Sequence, residues 1–175
     1  KGCGFPVAKV LGLFCLSTGG WLGHALSKWR SHDLSLWSAL RHLLVRGDIL
    51  LGDAGFCSYA LRAELKARGV DTVFRLHQAR SKDMRKGRRL GKEDRLQVWT
   101  KPRSRPSRSP WEQEAWDQLP EQIEVRIVRV RISSKGFRTR CLWIATTLTD
   151  AKQYPSEALA ELYHRRWSIE LFLRD

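Results

Sequence analysis

Asp48-Ile49-Leu50-Leu51-Gly52-Asp53-Ala54-Gly55-Phe56 is the stretch that decides the fold. Its middle carries no polar side chain, as expected of a short central strand covered on both faces of a sheet. The run stops at Asp53-Ala54-Gly55, a turn-forming sequence. Ser58 then opens a helix expected to reach Arg68 and to end at Gly69. Asp71 to Leu76 reads as the next strand. Strand, helix and strand in close succession imply parallel pairing across a crossover, and hence an α/β core.

Upstream, Phe5 to Leu16 is rich in Val, Leu and Phe and reads as a buried strand. Ser17-Thr18-Gly19-Gly20 is a turn, and Trp21 to Ser27 is a second strand pairing antiparallel with the first. Asp33 is placed to cap a helix running to about Val45, with Leu34, Trp37, Leu40 and Leu44 on one face and Gly47 as its stop. Downstream, the composition changes. Residues 75–108 hold 13 Lys and Arg against 3 Asp and Glu, a local +10. Lys101-Pro102-Arg103-Ser104-Arg105-Pro106 excludes a regular central element. A short strand is expected around Leu96 to Thr100. Ile123 to Ile132 alternates apolar with charged residues, which predicts a strand with one exposed face, its phase shifting near Val128. Arg138 to Thr147 is a further strand. Residues 77–147 thus read as a mostly β insertion in the core, and the basic stretch as either part of it or a solvated loop. Ser156 to Asp175 is the clearest helix, opened by Pro155 and Ser156, with Leu159, Leu162, Trp167 and Leu171 as its apolar side.

The chain has 175 residues, 42% of them hydrophobic, enough for one ordinary core and against global disorder. Its 32 Lys and Arg against 18 Asp and Glu give a formal charge of +14. Such a charge points to a polyanionic partner, most often nucleic acid; a basic protein without such a partner is the alternative. Cys3, Cys15, Cys57 and Cys141 are scattered without metal-ligand spacing, which fits buried free thiols in a reducing cytoplasm. No apolar run is long enough for a membrane span. Lys1-Gly2-Cys3-Gly4-Phe5 shows neither an initiator Met nor a signal-peptide pattern, and Phe172-Leu173-Arg174-Asp175 falls inside a helix, so the sequence reads as an internal piece of a longer one.

Two features carry chemistry. Tyr163, Arg166 and Glu170 lie three and four residues apart on the last helix, within an arc of about 60°. An Arg one turn from a carboxylate keeps it ionised and oriented, and a Tyr hydroxyl beside them can reach a phosphate. A solvated face with an ordinary ion pair has the same spacing. Asp53 follows an apolar strand, and sites in open α/β sheets gather at the C-terminal ends of strands, where a carboxylate is placed to ligate a metal. An Asp that merely turns the chain toward a helix looks the same.

Tyr163-x-x-Arg166-x-x-x-Glu170, within Leu162-Tyr163-His164-Arg165-Arg166-Trp167-Ser168-Ile169-Glu170-Leu171-Phe172, resembles the Y-(2)-R-(3)-E-(6)-K signature of the insertion-sequence-four family of DDE transposases. Gly52-Asp53-Ala54-Gly55-Phe56 is similar to that family's block around its second catalytic Asp, with Ala54 where Arg is frequent. Gly2 to Ala8 and Leu76-His77-Gln78-Ala79-Arg80 also resemble stretches of bacterial members, so the likeness covers nearly the whole chain. The resemblance implies an RNase H-like fold, with a mixed sheet, flanking helices and a β-rich insertion ahead of the helix bearing Glu170; its first core strand would be missing. On that division, 1–76 is the first part of the core, 77–147 the basic insertion and 148–175 the helix completing the core.

The same resemblance implies DNA transposition with Mg²⁺, or Mn²⁺, held by Asp53 and Glu170. Tyr163 and Arg166 would touch DNA phosphate, and Trp143 would stack on an extruded base, although a packed strand aromatic is the plainer reading of Trp143. The cations around Arg85, Lys86, Arg88 and Arg89 would hold the DNA backbone. Partners would be transposon-end and target DNA, with the chain a homodimer on DNA. The family's first Asp and its signature Lys have no counterpart here, so the chain alone is expected not to cut DNA. A non-catalytic DNA-binding remnant and an RNase H-like nuclease remain as alternatives.

Overall fold

The computed structural model describes residues 4–5, 7–80, 82–107, 109–131 and 141–172, with side chains through 167. It is a mixed α/β structure: a six-stranded mixed sheet, a separate two-stranded hairpin and a few helices.

Strand β1 (Ala8–Phe14) pairs antiparallel with β2 (Trp21–Lys28). The turn between them is closed by Cys15 N donating to the Gly20 carbonyl, with Gly19 at a φ of 70° that costs glycine little. Leu13 and Ala25 reach the core, while Val10 and Leu26, paired across the strands, stay exposed. The strand expected over Phe5 to Leu16 is therefore shorter than its apolar run and buried on one face only.

The long helix expected from Asp33 to Val45 is also cut down. Helix α1 spans Asp33–Trp37 and is capped by His32, not by Asp33. The Asp33 carboxylate instead pairs with Lys9 of β1 at 2.9 Å. The hydroxyls of Ser35 and Ser38 donate back to the carbonyls of His32 and Ser35, a local competition that weakens a short helix. A 3-10 turn at Arg41–Leu43 follows, and Trp37, Leu40 and Leu44 are buried all the same. The apolar spacing fixed which residues face inward, not the length of the helix.

Strand β3 (Ile49–Gly52), helix α2 (Tyr59–Ala67) and β4 (Asp71–Arg75) form the expected parallel crossover. Ser58 caps α2 through its hydroxyl, which accepts from Leu61 N at 3.1 Å, and Gly69 leaves the helix with a φ of 74°. β3 is covered on both faces but is not central. Leu50 packs in the larger core with α2, Leu51 lies against the smaller one, and β3 is the outermost strand of its sheet.

The sheet order is β3-β4-β8-β7-β6-β5. β8 (Cys141–Thr146), β7 (Gln122–Arg131), β6 (Asp94–Thr100) and β5 (Arg88–Gly91) pair antiparallel from β4 outward. The strand expected from Arg138 begins outside the described residues. In β7, Ile123, Val125 and Ile127 are buried as expected and Val128 is buried where the phase is expected to shift, but Arg126 is buried too. Arg126 loses its solvent because Asp94, on the neighbouring strand, supplies a buried carboxylate at 2.6 Å. A short helix α3 (Gln113–Asp117) had no warning in the sequence beyond Trp111 and Trp116, which are buried; the Trp111 indole N–H donates to Glu64 of α2 at 2.7 Å.

Helix α4 (Ser156–Phe172) lies over the opposite face of the sheet from α2, where Leu159 and Tyr163 pack with Val73, Val128 and Ile144. Of the described thiols only Cys57 is buried; Cys15 and Cys141 are half-exposed, all three are free, and Cys3 lies outside the described residues.

Candidate catalytic cleft

Asp53 leaves the sheet at the C-terminal end of β3 in an extended conformation, and its Oδ1 accepts from Ala54 N at 2.7 Å. The following 3-10 turn is closed by Phe56 N donating to the Asp53 carbonyl. Gly52 is required just before it, because a Cβ there would meet the Phe74 ring at 2.9 Å. In the parallel register Gly52 stands opposite Phe74, so the next residues, Asp53 and Arg75, emerge side by side. Leu51 and Val73 pack on the α4 side of the sheet, and alternation sends Asp53 and Arg75 the same way. In the sequence Arg75 is only the first cation of a basic run. Its position at the end of a strand, level with an acidic strand end, was the signal available.

Helix α4 brings two of its signature residues to this place. Arg166 lines the same cleft as Asp53, and its guanidinium carbon lies 5.5 Å from the centre of the Tyr163 ring. Tyr163 corrects one expectation. The sequence predicts a hydroxyl that can reach a phosphate, but Tyr163 is 1% exposed and its hydroxyl is shut off from solvent. Position 163 follows Leu159 by four residues, on the side of the helix that packs against the sheet. Burial pushes its phenol above the ordinary value of 10; Arg166 opposes this, the Asp53 charge adds to it and Arg75 opposes it. Tyr163 thus senses Asp53, Arg75 and Arg166 together. Position 170 falls one turn beyond Arg166 on the helix, but the Glu170 side chain lies outside the described residues.

The cleft has a volume of about 440 Å³ and is walled by β1 from Leu11 to Phe14 and by β3 from Ile49 to Gly52. β1 has a neighbour only in β2 and β3 only in β4, so the two strand edges facing this space are unpaired among the described residues.

Farther off, Arg85, Lys86, Arg88, Arg89 and Lys92 are exposed along the β5–β6 hairpin. Arg85 is not a free cation: Asp83 forks it, with Nε to Oδ1 at 3.0 Å and Nη2 to Oδ2 at 3.2 Å. The pair lies in solvent, where such bridges are weak and readily exchanged for phosphate. Trp143 on β8 is half-buried against the larger core, with Arg129 at 5.4 Å and Lys82 at 6.0 Å from its ring. It is therefore first of all a packed strand aromatic, set among cations.

Among the described residues no group of three or more His, Cys, Asp or Glu side chains is gathered closely enough to hold an ion. Asp53 offers an open carboxylate at the cleft, and an oxygen donor of this kind suits Mg²⁺ or Mn²⁺. The donor chemistry of Asp53 fits such an ion. No helix of the described residues is long and apolar enough to cross a membrane.

Comparison with known proteins agrees with this geometry. The chain is similar to Transposase InsG for insertion sequence element IS4 of Escherichia coli (strain K12), with 27% identity over 128 residues, 73% of this chain and 26% of that protein. The matched part is thus about a quarter of that relative's length. The family described as Transposase DDE domain matches residues 2–175, which include Asp53, Tyr163, Arg166 and Glu170 alike. Because that match runs over nearly the whole chain, the protein belongs to the DDE transposases, of the insertion-sequence-four type.

Proposed function

We propose that residues 1–175 form most of an RNase H-like catalytic core that cuts and joins DNA during transposition. The observation that carries this reading is that Asp53 and Arg166 line one cleft at the C-terminal end of the parallel strand pair, with Arg75 following Phe74 on the neighbouring strand. On this reading 1–76 and 148–175 belong to the core and 77–147 is an insertion whose strands lengthen the core sheet. The unpaired edges of β1 and β3 fit a further strand between them, and the family's first Asp would enter the cleft on it.

Asp53 and Glu170 would hold Mg²⁺ or Mn²⁺, which supplies activation of the attacking oxygen and neutralises charge on the leaving one. The chain's own residues do the rest. Arg166 in the cleft would be a cation for the scissile phosphate, with Arg75 beside Asp53 as a second, where charge placed in advance stabilises a phosphoryl transition state. Tyr163, buried beneath Arg166, holds the guanidinium in place and is a support for that contact rather than a surface group. The exposed cations of the β5–β6 hairpin hold the DNA backbone, and the affinity they give falls steeply with salt. Trp143 would have to open toward the cleft to stack on a base. The chain acts in the cytoplasm as a homodimer on transposon-end DNA. With two acidic ligands, Asp53 and Glu170, residues 1–175 would bind DNA and metal without cutting.

The decisive experiment is thermal unfolding with and without Mn²⁺. The metal should raise the midpoint of the wild type, and Asp53→Asn and Glu170→Gln should each abolish that rise while DNA affinity at low salt persists. No metal effect in the wild type, with DNA binding intact, would identify a non-catalytic DNA-binding remnant. Metal-dependent cutting of end DNA without strand transfer from 3′-OH ends would identify a nuclease.

A further inference from the structure

Arg126 is buried to 0% exposure on β7, in a strand whose spacing predicted a solvent-facing cation. A guanidinium stays charged inside a protein, so its burial requires acceptors on every side. Asp94 provides one side: Nε donates to Oδ1 at 2.9 Å and Nη2 to Oδ2 at 2.6 Å. The other side is not a side chain. Nη1 donates to the Tyr154 carbonyl at 2.6 Å, with the Leu148 and Asp150 carbonyls at 3.5 Å. Those three carbonyls belong to the connection between β8 and α4. Asp150 tightens the same turn by accepting from Lys152 N and Gln153 N at 2.8 and 3.1 Å. Pro155 and Ser156 follow at once and start the helix.

From this we infer that Arg126 is a positioning residue: it fixes where α4 begins, and so sets Tyr163 and Arg166 against Asp53. The clamp also ties the helix to the basic hairpin. Asp94 is the first residue of β6, just past the hairpin turn, and Glu93 in that turn pairs with Arg129 on β7. DNA held by the hairpin cations and the helix facing the cleft are therefore anchored to the same buried pair. The proposed functional consequence rests on the transposase reading above; the placement of α4 does not.

Hydrogen exchange of the full chain separates a positioning role from a plain stabilising one. In Arg126→Met with Asp94→Leu, apolar side chains of similar volume replace the pair, so overall stability should be kept. Backbone amides of residues 156–163 should nevertheless exchange tenfold or more faster, with β4 and β7 unchanged. Arg126→Lys keeps a charge for Asp94 but has one ammonium for two separate acceptors, and it should show the same local rise. It decides the matter if the double variant does not fold. Unchanged exchange at 156–163 in either folded variant would overturn the inference and leave α4 positioned by its apolar packing alone. The Mn²⁺-induced rise in unfolding midpoint should shrink in both variants. If the wild type shows no such rise, the metal-site reading fails while the exchange result still decides the role of Arg126.

Discussion

Arg75 is exposed beside the strand end that bears Asp53 and, among the described residues, its side chain makes no hydrogen bond or ion pair, whereas Arg62, Arg126 and Arg129 are all engaged by neighbours. A charge with no structural duty beside an acidic strand end is available to a phosphate. Arg75→Ala should leave the unfolding free energy within about 0.5 kcal/mol of wild type and lower the slope of log affinity for DNA against log salt by about 0.9. An unchanged slope in a fluorescence-anisotropy titration would remove Arg75 from the DNA surface. Tyr163 makes the opposite case. Its ring is core, so Tyr163→Ala should cost on the order of 3–5 kcal/mol, while Tyr163→Phe keeps the packing. The sign of its pH effect follows from the raised phenol. The folded state disfavours the ionised form, so its contribution is intact below pH 10 and is lost as pH rises from there through the folded-state value. Tyr59 is raised as well, chiefly by burial, and contributes in the same direction. Chemical denaturation between pH 9 and 11 should therefore show a shallower alkaline loss in Tyr163→Phe, and an unaltered profile would mean that Tyr163 is not held neutral. The spacing of Tyr163 and Arg166 puts them one turn apart on α4, but it does not say which edge of that face the sheet covers.

Elements whose signals are local were legible. Ser58 and Gly69 marked both ends of α2, and the uninterrupted apolar run at Ile49–Gly52 marked a strand covered on both faces. What failed needed a partner from elsewhere in the chain. Nothing near Arg126 announces Asp94, and nothing near Trp111 announces Glu64. Strand β5 is similarly hidden, since Arg88-Arg89-Leu90-Gly91 has little strand propensity and is held by pairing with β6. Its start depends on Gly87, with a φ of 86° and a site where a Cβ would sit 2.2 Å from the Leu96 carbonyl oxygen. That distance is impossible for any L side chain without moving the strand, and Arg88 pairs with Leu96 just there. Gly87→Ala should therefore release β5 from β6 and spread the cations at Arg88 and Arg89. The expected result is a loss of DNA affinity of roughly tenfold, about 1.4 kcal/mol, with the core amides of α2 and β4 as protected as before. Retained affinity would show that the hairpin's charge matters and its shape does not.

At the scale of the molecule, the split between hairpin and sheet leaves strand edges open. Unpaired strand edges are exposed backbone donors and acceptors, and proteins ordinarily cover or blunt them. Here two such edges, β1 and β3, face each other across an apolar cleft of about 440 Å³ with Asp53 at its margin. Leu13 and Leu50 already pack in one core, so among the described residues the hairpin is held to the main sheet by side chains and not by strand pairing. One strand inserted between them would satisfy both edges and turn two sheets into one. The central position that the sequence suggested for β3 is what that arrangement would restore. A peptide of about seven residues with alternating apolar side chains and an Asp near its end spans about 23 Å, the length of a strand such as β1. Fused through a flexible linker ahead of Lys1, it should raise the unfolding midpoint by several degrees and protect amides of both β1 and β3. A variant with Asn in place of that Asp should give the same protection but a weaker Mn²⁺ effect, because pairing depends on backbone and metal binding on the carboxylate. Protection of one edge alone, or of neither, would mean that the cleft does not receive a strand, and that Asp53 and position 170 must draw any third ligand from another source.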